Sequence, residues 1–329
     1  MMNQLIERFP AQLKEALQIG EEATIRAHSH SINKAYVAGM GGSGIGADFV
    51  AEFIVAECKI PYLVGKGYDT PAYIDQNTLF IASSYSGNTE ETLNSINQVL
   101  LSGAKIICIA SGGKLIELAK THGLDYILLP GDWPSPRACL GFSLVQQLFV
   151  LNKLGFISMT TIDQVKSSID LLKYDQDEIK NKAEKIANII FKKTPIIYTS
   201  DRMESVAVRF RQQINENSKA LCWHNVVPEM NHNELVGWKD RNDDLAVIFF
   251  RNKDDYKRNS IRMDINKETY IKYTNTIIEI YSKGQNLVER SMYLVHLGDW
   301  VTWYLAELRG VDSIEVRVID HLKTELAKF

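Results

Sequence analysis

A short apolar run that passes directly into a glycine- or hydroxyl-rich turn, and from there into a helical pattern, occurs twice early in this chain and narrows its fold more than any other feature. Ala35-Tyr36-Val37-Ala38 leads into Gly39-Met40-Gly41-Gly42-Ser43-Gly44, and Thr78-Leu79-Phe80-Ile81-Ala82 leads into Ser83-Ser84-Tyr85-Ser86-Gly87-Asn88-Thr89. Strand, turn and helix in that order build neighbouring parallel strands. Both turns then fall at strand carboxyl ends, where open α/β sheets bind ligands.

These turns are suited to an anion. Glycines let the backbone come close, helix N-termini present N–H groups and the positive end of a dipole, and Ser and Thr add neutral donors. Ser84, Ser86 and Thr89 are the donors of the second turn; Gly42 and Ser43 are the corresponding residues of the first. Glu90 and Glu91 open the helix that follows, with Leu93 and Ile96 on its inner face. Ordinary βα turn chemistry with capping hydroxyls explains either turn alone; the pair together points to one phosphate monoester.

Gly39, Gly41 and Gly44 also satisfy the dinucleotide pattern G-x-G-x-x-G. The next strand, Pro61 to Val64, runs out into Gly65-Lys66-Gly67 and has no Asp or Glu to hold a ribose hydroxyl. No Gly-Lys-Ser/Thr closes either loop, so the Walker pattern fails as well.

Strands are expected at Ala35 to Gly39, Pro61 to Val64, Leu79 to Ser83, Lys105 to Ala110 and Tyr126 to Leu129, with helices starting near Ser43, Thr89 and Lys114. Residues 1–30 are expected to be a helical cap with Pro10 as a break, and an apolar helix is expected from Cys139 to Leu154. A charged helical stretch over residues 163–192 leads to a second alternation: strand Pro195 to Thr199, helix Glu204 to Asn217, strand Ala220 to Trp223, helical segment Asn231 to Gly237, strand Leu245 to Phe250. Strand Thr276 to Tyr281, helix Met292 to Leu308 and helix Val318 to Lys328 complete it. The expected division is a domain over residues 1–155 holding the phosphate turns and a second over 156–329. The first turn of the second alternation, Ser200-Asp201-Arg202, lacks glycine and would not hold a phosphate in the same way.

A net charge of −3 leaves no basic excess for a nucleic acid backbone or an anionic membrane. No apolar run of about 18 residues occurs and the charged first segment does not look like an export signal, so a cytoplasmic protein is expected. Cys58, Cys108, Cys139 and Cys222 are scattered without C-x-x-C spacing, as reduced structural thiols would be.

The second half carries candidate chemistry. Glu216 stands between Asn215 and Asn217 at the end of a helical stretch, and His232 stands between Asn231 and Asn233. A carboxylate base and a histidine suit proton transfer beside a carbonyl, although each alone has an ordinary reading as a solvated helix-end acid or a turn residue. Arg137 follows Pro134 and Pro136 at the mouth of the first sheet, where a cation steadies an oxyanion; a surface arginine is the plain alternative. Lys323, between Leu322 and Leu326, has the same ambiguity. His224, Glu229 and Glu234 compete for acid–base work, and Glu229, His232 and Glu234 form the one cluster with metal-ligand types.

Together, Gly41-Gly42-Ser43-Gly44, Ser84-Tyr85-Ser86-Gly87-Asn88-Thr89, Arg137, Asn215-Glu216-Asn217, Asn231-His232-Asn233-Glu234 and Leu322-Lys323 resemble the bifunctional phosphoglucose/phosphomannose isomerases of the sugar isomerase superfamily. The resemblance runs from about residue 30 to the end. It implies an α/β protein of two flavodoxin-like doubly wound parallel-sheet sugar isomerase domains. It also implies interconversion of glucose 6-phosphate, and of mannose 6-phosphate, with fructose 6-phosphate. By the same resemblance Gly42, Ser43, Ser84, Ser86 and Thr89 bind the substrate phosphate, and Glu216 moves a proton between C1 and C2 through a cis-enediol. His232 assists ring opening in the partner's site of a homodimer, Arg137 steadies the enediolate, and Lys323 works near the ring oxygen. No metal or organic cofactor is implied.

The tail departs from the family pattern. A threonine about two helical turns before the final lysine goes with mannose 6-phosphate, and the residue seven before Lys323 is Val316; the prolines usual after Gly-x-Asp are absent from Gly310 to Glu315. The glucose reaction is therefore implied more directly than the mannose reaction. Isomerisation of another phosphosugar, or phosphosugar sensing without catalysis, keeps the same fold. Amination of the glucosamine 6-phosphate type goes with a glutaminase segment, and DNA-binding sensors carry a basic helix-turn-helix; neither is visible in this sequence.

Overall fold

The computed structural model describes all 329 residues, Met1–Phe329. They divide into two compact units: residues 8–173 with 285–289, and residues 1–7 with 174–284 and 290–329. We call these the N-terminal and C-terminal units.

In the N-terminal unit α2 (Phe9–Glu22) precedes β1 (Lys34–Gly39), α3 (Gly41–Ile54), β2 (Tyr62–Gly65) and β3 (Thr78–Ser83). α4 (Glu90–Val99), β4 (Lys105–Ala110), α5 (Gly113–Thr121), β5 (Asp125–Leu128), α6 (Leu140–Lys153) and α7 (Thr160–Tyr174, whose last residue is counted with the other unit) follow. The five strands are all parallel in the order β2-β1-β3-β4-β5, the flavodoxin-like arrangement. Successive side chains point to opposite faces, so Tyr36, Ala38, Phe80, Ala82, Ile106, Cys108 and Ala110 share one face and pack under Ile96 and Val99 of α4 and Leu115, Ile116 and Ala119 of α5. α3 and α6 pack against each other, and α3 lies on β1 and β2.

The C-terminal unit holds α1 (Met2–Glu7), α8 (Gln176–Ile190), β6 (Thr194–Ser200), α9 (Glu204–Ser218), β7 (Trp223–Val227), β8 (Leu245–Arg251), α10 (Lys257–Tyr270) and β9 (Ile277–Tyr281). It also holds α11 (Leu287–Arg309) from Arg290 onward and α12 (Arg317–Leu326). Its four strands are parallel in the order β7-β6-β8-β9, the same winding with one strand fewer. Both units are thus doubly wound parallel α/β structures, as expected.

Four local expectations need correction. Residues 1–30 form two helices that break at Arg8, and the chain is no longer helical after Glu22. Pro10 does not break them; it sits in the first turn of α2, where its missing N–H costs nothing. The strand expected at Ala220 to Trp223 lies at Trp223–Val227, because Lys219 leaves α9 in a left-handed conformation and Ala220 to Cys222 are spent on the turn. The segment Asn231 to Gly237 is two 3-10 turns, Glu229–His232 and Glu234–Gly237. Helix α10 is a further addition. Its buried stripe is Asn259, Met263, Asn266 and Tyr270, so amides occupy half the positions where apolar residues would have revealed it.

No helix is long and apolar enough to cross a membrane. All four cysteines are free thiols, and burial pushes those of Cys108 and Cys222 up to about 12.

Candidate active site

The N-terminal unit brings the two turns together. Gly39 ends β1 beside Ser83 at the end of β3, so close that a Cβ on Gly39 would stand 3.1 Å from the Ser83 carbonyl oxygen. The Ser143 hydroxyl on α6 lies 3.0 Å from the Ser83 hydroxyl and donates to the Ser43 carbonyl at 3.4 Å, which ties the end of β3 and the first turn of α3 to one helix. Gly44 must be glycine: a Cβ there would come within 2.6 Å of the Gly39 carbonyl oxygen. No side chain caps the first turn of α3 or of α4, so neither helix spends a side chain on the backbone donors that an anion would use.

Within the second turn the Ser84 and Thr89 hydroxyls are 2.8 Å apart. The exposed Ser86 accepts from the Asn88 N–H at 3.2 Å. Ser43 and Ser84 are buried, and Thr89 is half-buried. Arg137 joins the cradle. It sits buried in a 3-10 turn, Pro136–Ala138, that packs on the start of α3; a Cβ on Gly42 would lie 3.1 Å from the Pro136 carbonyl oxygen and 3.8 Å from the Arg137 Cα. Gly42, Ser43, Ser84, Ser86, Thr89 and Arg137 therefore belong to one end of one sheet. Uncapped helix starts, hydroxyl donors and a buried arginine at the same end of one sheet are groups that can hold a dianion.

In the C-terminal unit Glu216 lies half-buried in the last turn of α9. The end of that helix is held from below by side chains. Asn217 donates to the Thr302 hydroxyl at 3.0 Å and Ser218 donates to the Thr302 carbonyl at 2.7 Å, while earlier in the helix Arg209 pairs with Asp299 at 2.9 Å, all buried. Glu216 borders a cavity of about 340 Å³, walled on one side by Asn215, Glu216 and Lys219 and on the other by Glu315 to Ile319. A packed helix end carrying a carboxylate beside a cavity of that size can present a base to a small molecule.

His232 ends the 3-10 turn after β7 and is exposed, and Lys323 is exposed on α12; both lie outside the walls of that cavity. Val316 is in its wall. Of the competitors, Glu234 accepts from the Tyr198 hydroxyl at 2.5 Å and from Asn225 at 2.7 Å, which makes it a structural anchor. His224 is held neutral: burial first, then the Arg211 charge, push its pKa down to about 4, with Glu234 opposing. Glu229 accepts from Asn233 at 3.0 Å. No three His, Cys, Asp or Glu side chains are grouped as metal ligands. Sequence reasoning gave Lys219 no role. A helix that closes in the left-handed region is signalled by Gly or Asn, and a lysine gives no such signal.

Residues 30–150 match the SIS domain family, and residues 179–326 match the bacterial phospho-glucose isomerase C-terminal SIS domain. The chain is 39% identical to a bifunctional phosphoglucose/phosphomannose isomerase of Caldicellulosiruptor bescii, with 99% of each covered. The chain belongs to the bifunctional phosphoglucose/phosphomannose isomerase family. A member from Aquifex aeolicus is 38% identical over 88% of this chain and 89% of its own length. Among solved structures, the C-terminal domain of glucosamine-fructose-6-phosphate aminotransferase from Francisella tularensis superposes with a TM-score of 0.80 at 14% identity, covering 95% of this chain and 98% of that one, a likeness of fold.

Proposed function

We propose that this protein interconverts glucose 6-phosphate, and mannose 6-phosphate, with fructose 6-phosphate. The observation that carries the reading is Glu216 on a side-chain-anchored helix end beside a cavity, in a chain 39% identical to a family member over its full length. The two aldoses differ only at C2, and that difference vanishes once the C2 proton is removed to give the enediol. A proton next to a carbonyl is weakly acidic, so its removal needs a positioned base and a cation where negative charge develops.

Glu216 takes the C2 proton of the open-chain sugar, exchanges it with solvent, and delivers a proton to C1. Gly42, Ser43, Ser84, Ser86 and Thr89 hold the phosphate, Arg137 steadies the enediolate, and Lys323 acts near the ring oxygen. His232, exposed on its turn, opens the ring in the partner's site of a homodimer. Phosphate holding thus falls to the N-terminal domain and proton transfer to the C-terminal one, in a cytoplasmic enzyme. Val316 supplies no hydroxyl to the cavity wall, so turnover of mannose 6-phosphate relative to glucose 6-phosphate measures what that position contributes.

A coupled assay tests the proposal: fructose 6-phosphate formed from each aldose, with and without a chelator. Turnover of glucose 6-phosphate unaffected by chelator supports it. Binding of phosphosugar without turnover points to a sensor, and loss of activity with chelator requires a metal that the proposal does not contain.

A further inference from the structure

The left-handed end of α9 has a consequence for the cavity beside Glu216. Lys219 has φ of 53°, a conformation that glycine adopts freely and other residues do not. A residue whose only task was to end the helix would be better as glycine. Lysine's side chain has other contacts. Its ammonium donates to the Glu216 carbonyl oxygen and, at 2.8 Å, to the Glu315 carbonyl oxygen, with the Glu315 carboxylate 3.9 Å away. Arg309 donates to the Lys219 carbonyl at 3.2 Å. The Asp312 and Glu315 carboxylates accept from the N–H groups of Ile314 and Arg317, at 2.8 and 3.0 Å, and shape the turn into α12.

α12 itself buries no residue. Apolar packing therefore does little to fix this helix, yet its first three residues and the two before it form the far wall of the cavity. We propose that Lys219 is a positioning residue: one ammonium links the backbone of the base to the start of the C-terminal helix and so sets the width of the cavity in front of Glu216. The proposal rests on Glu216 being the base. Lys219 does not touch the reacting atoms; it acts through Glu216 and through residues 315–319.

Lys219→Gly separates this role from helix termination, since glycine relieves the left-handed strain and removes the link. Lys219→Arg keeps a cation that can bridge two carbonyls. The measurements are kcat and KM for glucose 6-phosphate, and amide hydrogen exchange over residues 316–326. For Lys219→Gly we expect kcat to fall about tenfold or more with KM within about threefold, and tail amides to exchange about tenfold faster. Lys219→Arg is expected to restore at least about a third of kcat together with slow exchange. Wild-type kcat in Lys219→Gly, or lowered kcat with tail exchange unchanged, overturns the proposal. If the wild-type protein turns over no aldose phosphate, the isomerase reading fails on that arm, and tail exchange alone decides whether Lys219 holds the helix: unchanged exchange refutes it.

Discussion

The two units wind their strands in the same order and use the ends of those strands in opposite ways. In the N-terminal unit the first strand ends at Gly39 and the next inner strand ends at the Ser84 turn, with hydroxyls and uncapped helix starts at the site. In the C-terminal unit the corresponding strands are β6 and β8, and the chain fills the place itself. The Ser200 hydroxyl donates to the Asp255 carboxylate at 2.5 Å, and the Asn252 N–H donates to the same group at 3.2 Å. Burial raises the Asp255 pKa, against the lowering effect of those two bonds. One unit leaves the helix starts at its strand ends uncapped, and the other closes them with its own carboxylate and carries the proposed base, Glu216, on the far end of a helix. A duplicated architecture fixes where loops lie; the loop residues decide whether a ligand has room.

The sharpest break in this comparison is Glu216→Gln. It removes the base and leaves the N-terminal turns untouched, so kcat is expected to fall about a thousandfold while the dissociation constant for glucose 6-phosphate stays within about threefold. Calorimetry on the variant checks the second half. Next in size, Ser84→Ala with Thr89→Val removes two hydroxyl donors from the open turn, and KM should rise about 10- to 100-fold with a smaller change in kcat. The matching change in the closed turn, Asp255→Ala, should leave KM within about twofold and cost about 1–3 kcal/mol of stability, read by urea denaturation.

A further effect, seen only below neutral pH, distinguishes the units by acid sensitivity. His296 on α11 is fully buried in the C-terminal unit, and burial, then the Lys180 charge, push its pKa down from 6.5 to about 3. The unfolded chain binds this proton below about pH 6.5 and the folded chain does not, so the contribution is intact above that pH and lost progressively as pH falls toward about 3. His296→Leu should flatten that part of the stability–pH curve. A curve of unchanged slope would mean the imidazole is not held neutral.

Much of this was legible in the sequence because it rests on local pattern. β4 falls where its apolar run lies, Lys105–Ala110, and the two turns fall at strand ends because glycine there permits close backbone approach. What escaped has a physical cause in each case. α10 hides because Asn259 and Asn266 face inward and bond to Asp201 and Asn231. The proximity of Arg137 to Gly42 depends on α6 packing on α3, a contact between distant segments. Lys219 looks like any surface lysine until its backbone conformation is known.

Proton transfer between C2 and C1 of a phosphosugar by a carboxylate base leaves a mark when the reaction is run in deuterium oxide. A proton carried by Glu216 exchanges with solvent during the lifetime of the enediol, so fructose 6-phosphate formed from glucose 6-phosphate, read by NMR, is expected to carry deuterium at C1. Product with no deuterium at C1 would mean hydrogen passes directly between the two carbons as hydride, and no product at all would mean the chain is not an isomerase; either result rules out Glu216 as a base that exchanges its proton with solvent.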